Sequence, residues 1–147
     1  MPEKETLERA AEDKAEGKSP STQAGEFVRE EIEHIREGKH GARSAKQAIA
    51  IGLSKARRAG VKLPVPKKGK ASKTTRKQAA RDLRKGKSPG KKKSAKRSRA
   101  TSQALKREGR SAASETALSR QAHRAAAKRS AASRSRSAKK AAKTRGK

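Results

Sequence analysis

The sequence predicts a mostly α chain: a short amphipathic helical hairpin followed by a long, largely disordered basic C-terminal tail. Three observations lead there. Leu, Ile, Val and Phe supply only 14 of the 147 residues, with Phe27 the single aromatic, too few for a large packed core. Lys and Arg number 43 against 14 Asp and Glu, a formal net charge of +29. The large apolar residues that exist cluster between Phe27 and Leu63 at helical spacing.

Charge divides the chain. Residues 1–37 hold 11 acids and 6 bases, whereas residues 38–147 hold 3 acids and 37 bases. That asymmetry suits an acidic head joined to a basic arm made for a polyanion. Four segments follow: an acidic N-terminal segment at 1–19, the hairpin at 20–60, a Pro/Lys linker at 61–73, and a basic low-complexity tail with transient helices at 74–147.

The stretches "AAEDKAEGKSP" (10–20) and "AARDLRKGKSP" (79–89) match at 7 of 11 positions. Both read as punctuation between helices, with Gly17 and Gly86 after a helix C-terminus, Ser19 and Ser88 as N-caps, and Pro20 and Pro89 at first helical positions. A phosphate-binding P-loop is excluded because Glu12 and Arg81 stand where its first glycine belongs. From Pro20 to Glu37, Ala24, Phe27, Val28, Ile32 and Ile35 share one helical face, opposite Glu26, Arg29, Glu30, Glu33, Arg36 and Glu37. After "GKHG", Ser44 with Gln47 opens a second helix, on which Ala45, Ala48, Ile49, Gly52, Leu53, Ala56 and Ala59 form a stripe. The expected hairpin core is therefore Phe27, Val28, Ile32, Ile35, Ile49 and Leu53, with Gly52 permitting close approach. Beyond residue 66, Thr75 with Gln78 could cap a three-turn helix. The alanine-rich stretch after Ser102 should fluctuate in isolation and turn helical when phosphates neutralise it.

Cysteine is absent, which excludes disulfides and thiolate metal sites. No apolar run approaches the ~18 residues of a membrane span, and the acidic N-terminus lacks a signal-peptide core, so a cytoplasmic, nucleoid-associated protein without membrane contact is expected. The acids of the first hairpin helix have the spacing of a solvated face, which argues against an enzyme. His34, His40 and His123 read as scattered, so no metal and no cofactor are expected.

The basic arm carries the functional signal. Lys and Arg recur among small residues, and phosphate contacts that release condensed counterions reward such a chain without a shaped interface. With no aromatic after Phe27, base readout by stacking is disfavoured. The expected contacts are Arg43, Lys46, Lys55, Arg57, Arg58 and Lys62 as a basic ridge on the hairpin. Lys67, Lys68, Lys70, Lys91, Lys92, Lys93, Arg134, Arg136, Lys139 and Lys140 would add contacts from the tail. Duplex DNA is the expected partner, bound without sequence preference. RNA or the ribosome is the alternative, as is a hairpin that docks a protein partner or a second copy of itself.

"SAKKAAKT" and "SPGKKKSAKR" resemble the Lys/Ala/Ser/Pro tails of linker histones and of histone-like bacterial proteins, which implies DNA binding and condensation. "EFVREEIEHIREGKHGARSAKQAIAIGLSKARRAG" is similar to a segment of small basic bacterial proteins of unassigned function, a likeness that implies no mechanism.

Overall fold

Serine opens the helices. The computed structural model describes residues 1–88 and 92–146, and seven α-helices lie among them. Helix α1 (Lys4–Ala15) starts at Glu3 without a side-chain cap. The six others start at a serine whose hydroxyl accepts the backbone N–H three residues on: Ser19 for α2 (Pro20–Arg36), Ser44 for α3 (Ala45–Arg58) and Ser72 for α4 (Lys73–Lys87). Ser94, Ser114 and Ser130 do the same for α5 (Ala95–Lys106), α6 (Glu115–Ala127) and α7 (Ala131–Arg145). Each such cap satisfies a donor that the helix leaves orphaned, and losing one costs about 1 kcal/mol.

Helices α2 and α3 form the central hairpin; α1 packs along α2 and α4 along α3. The hairpin is held by glycine. A Cβ on Gly52 would stand 2.6 Å from Val28 Cα and 3.0 Å from the Phe27 carbonyl oxygen, so the helix backbones nearly touch there. Gly52→Ala should therefore lower stability by about 1–3 kcal/mol, as overpacking does. Gly25→Ala, with nothing within 4 Å of the new methyl, should be neutral or stabilising. Thermal unfolding followed by circular dichroism separates the two; equal midpoints would sink the close-approach reading.

Two apolar clusters form the core. Ala10, Ala24, Phe27, Ala56, Val61 and Leu63 are buried together, with Leu53 packed against them. Ile32, Ile35, Ala42, Ala48, Ala112 and Ala113 form the other, flanked by Val28 and Leu118. Of the six expected core residues, Phe27, Ile32 and Ile35 are buried, while Val28, Ile49 and Leu53 are half-buried. Val61 and Leu63, inside the Pro/Lys segment, are core residues.

The second cluster overturns the largely disordered tail. The basic half is helical from α4 to α7, and the 3-10 turn Ser111–Ala113 buries its two alanines on the hairpin. Backbone pairing fixes this docking: Gly41 N–H donates to the Leu105 carbonyl at 2.9 Å and Ala42 N–H to the Gly109 carbonyl at 3.0 Å. The Arg36 guanidinium donates to the Ala113 carbonyl at 3.0 Å. The physical reason is that alanine and glycine do the burying. A tally of large apolar side chains does not register surfaces that pack backbone against backbone, and serine caps hold helices that charge repulsion opposes.

The internal repeat is punctuation in its first copy, where Gly17 follows α1, Ser19 caps α2 and Pro20 opens it, but not in its second, and both copies also supply packing residues. Its shared residues Ala10 and Ala79, and Asp13 and Asp82, are all buried, so each copy supplies the packing face of a helix that flanks the hairpin. Asp82 accepts from Ser54 Oγ and Arg58 Nε, both at 2.8 Å, and from Gln78 Nε2 at 3.1 Å, tying α4 to α3. Gly17 ends α1 in the left-handed region (φ +73), but Gly86 lies inside α4 against the Arg57 carbonyl, and Ser88 is a C-cap rather than an N-cap. The cap of α4 is Ser72, three residues ahead of Thr75. Pro89 falls outside the described residues.

Candidate functional site

Two of the acids of α2 are not on a solvated face. Glu30 and Glu31 are 2% and 1% exposed, between α1, α3 and the turn that follows α2. Burying a carboxylate is costly unless it is paired and hydrogen-bonded. Glu30 meets that demand: it accepts from the Glu3 backbone N–H at 3.0 Å and from Lys55 Nζ at 3.1 Å. Burial pushes its carboxyl up, but the Glu3 amide, the Thr6 hydroxyl and the Lys55 ammonium together hold it below the usual value. Burial likewise pushes Lys55 down, and the Glu31 and Glu30 carboxylates more than reverse that.

Glu31 is satisfied less well. Lys55 Nζ lies 2.7 Å from Oε2 and His40 Nε2 lies 3.1 Å from Oε1. Neither contact has hydrogen-bond alignment, and both oxygens are buried without a hydrogen-bond partner. The chain brings His40 here because Gly38, at φ +79, turns it back toward α2. One turn on from Glu31, His34 meets Glu3: its Nε2 is 2.9 Å from Glu3 Oε1, which also accepts from Lys39 Nζ at 3.0 Å. These two contacts hold the Glu3 carboxyl down at about 2. The two imidazole rings stand edge-on, centroids 6.2 Å apart. The histidines of the turn are thus not scattered. The readable signal is Glu31-x-x-His34, which puts both side chains on one helix face, followed six residues later by His40.

The expected phosphate contacts divide by what the fold does with them. Lys55 is committed to Glu30 and Glu31. Arg57 is buried and donates to the Leu63 and Pro64 carbonyls at 3.4 and 3.3 Å, bracing the segment after α3. Arg58 is paired with Asp82 at 2.8 Å. The hairpin ridge thereby shrinks to Arg43, whose guanidinium is 4.0 Å from Glu108, and the exposed Lys46 and Lys62. Lys67, Lys68, Lys70, Lys92, Lys93, Arg134, Arg136, Lys139 and Lys140 are all exposed, the last four on α7; Lys91 lies outside the described residues. Among the described residues, no Lys or Arg beyond Arg58 is in an ion pair.

Residues 13–69 match the model of a family described as a family of unknown function (DUF6496). The match covers less than half of the chain. It takes in the hairpin, the Glu31/His34/His40 turn and Lys55, and it stops before the basic helices. No curated protein matches the chain. No solved structure matches it either. Among the described residues, no helix is long and apolar enough to cross a membrane.

Proposed function

We propose that this protein binds duplex DNA through its phosphates, without reading base sequence, and serves to condense DNA in the nucleoid rather than to catalyse a reaction. The observation that carries the reading is the separation of neutralised from bare cations. Lys55 and Arg58 serve buried acids, whereas the described Lys and Arg side chains of α4 to α7 have no acidic partner in the fold. Charges held on helices and left unpaired repel one another until a polyanion neutralises them. Helix α7 is the plainest case. Its 15 residues span ~22 Å at 1.5 Å per residue; no residue of it is buried, and Arg134, Arg136, Lys139 and Lys140 face solvent. A helix of that girth fits a major groove, and phosphates flank it on both sides.

The test replaces those four residues with glutamine and titrates random and defined duplexes by fluorescence anisotropy. Binding should weaken by the same factor for every duplex, and the salt slope should fall by ~1 for each phosphate no longer neutralised, ~4 at most. A weakening confined to one duplex sequence would move recognition to base edges. Tighter binding to structured RNA at equal salt would assign the same cations to RNA.

A further inference from the structure

We infer that Glu31, His34 and His40 form a binding site for a divalent zinc-class metal ion at the turn between α2 and α3. One oxygen of Glu31 and one nitrogen of each imidazole lie within 4.8 Å of one another. Glu31 and His34 are one turn apart on α2, and Gly38 returns His40 to the same spot. Two imidazoles and a carboxylate are a donor set suited to zinc and its neighbours, with a further position for water.

The hydrogen bonds around the site point the same way. His40 Nδ1 is 3.0 Å from the Gly41 carbonyl. A carbonyl only accepts, so Nδ1 is the nitrogen that donates there and Nε2 is the one that faces Glu31. Nε2 lies 3.1 Å from Glu31 Oε1, itself only an acceptor and buried without a hydrogen-bond partner. A metal ion would take the Nε2 lone pair and this carboxylate oxygen together. A proton on Nε2 would be poorly aimed at the carboxylate, whereas neighbouring ligands of one metal are not collinear. With bonds of about 2.0–2.1 Å, two ligands of a tetrahedral ion stand ~3.3 Å apart, close to the observed separation. Glu3 bonds His34 at Nε2, which leaves Nδ1 for a metal, and the Gly41 carbonyl bonds His40 at Nδ1, which leaves Nε2; metal-ligating histidines are commonly oriented by such partners on the other ring nitrogen. Half-exposed Lys39 and the inner Lys55 oppose a cation here. Glu3, Glu30 and Glu31 oppose them in turn, in the one segment of the chain with net negative charge. His34 and His40 are 13% and 17% exposed, which leaves a route in from solvent.

The experiment uses the full chain, stripped with a chelator and titrated with zinc against a chromophoric zinc chelator. One equivalent should bind. His34→Gln and His40→Gln should each weaken it by at least about tenfold, and His123→Gln, on α6, should leave it unchanged. No competed zinc, or zinc that survives both turn variants, overturns the site. Because these variants could lose the turn itself, the unaltered chain loaded with cobalt gives a second reading. Intense ligand-field bands of a four- or five-coordinate ion, with two paramagnetically shifted imidazole N–H resonances, support the assignment. A weak six-coordinate spectrum without imidazole signals sinks it.

Discussion

Raising the salt from 50 to 200 mM should weaken DNA binding by the full chain about 10³–10⁵-fold if ~6–10 phosphates are contacted, since each contributes ~0.9 to the slope of log affinity against log salt. The fold sharpens where that slope comes from. Removing residues 67–147 takes away the exposed cations of α4 to α7 and should flatten it strongly. Arg57→Ala with Arg58→Ala should scarcely move it, because the two guanidiniums already serve the Leu63 and Pro64 carbonyls and Asp82. What that pair should lower instead is the melting temperature. Anisotropy titrations at several salt concentrations, paired with thermal melts, read both quantities. A double variant whose slope falls by about two at unchanged stability would place these arginines on DNA.

Lys55→Met should destabilise the protein by about 3 kcal/mol or more. It keeps the length of the stem and removes the one ammonium that faces both Glu30 and Glu31. Two buried carboxylates would then stand side by side without their shared cation, and breaking such a set from one side costs far more than the intact set contributes. Lys46→Met, exposed on the same helix, should stay within about 0.5 kcal/mol of the parent. If urea midpoints of the two variants coincide, the cluster is not what holds α1 and α3 to α2. Adding Glu31→Gln to Lys55→Met should recover part of the stability, because it removes one of the charges left alone.

The hairpin was readable because Phe27, Ile32 and Ile35 recur with a helical period, and because Ser19-Pro20 and Ser44 mark the starts of its two helices. The same kind of mark stood in the basic half at Ser72, Ser94, Ser114 and Ser130, but in a Ser-rich, charge-rich segment a capping serine looks like any other. Ala112 and Ala113 were hidden for a related reason. Alanine counts for little on a hydropathy scale, yet it fills the gap where a backbone comes within bonding distance of Gly41 and Ala42. Glu31 falls by the helical period on the apolar side, between Phe27 and Ile35, where a carboxylate is easily passed over. Glu30 could not be placed from periodicity alone: it belongs to the polar side of α2, and it is buried because α1 and Lys55 arrive there. For the same reason Lys55, Arg57 and Arg58 looked like free positive charge until the partners that neutralise them were located.

The docking of the Ser111–Ala113 turn onto the hairpin has a consequence for the order of events during synthesis. The bond from Arg36 to the Ala113 carbonyl spans 77 positions, and the entropy of closing so long a loop must be met before its contacts return anything. The hairpin is local and forms first. A ribosome adding ~5–20 residues per second needs roughly 4–15 s to cover that interval. For that time the Ile32 and Ile35 side of α2 stays open at the surface of the nascent chain, and a chain cut anywhere before Ala112 keeps it open permanently.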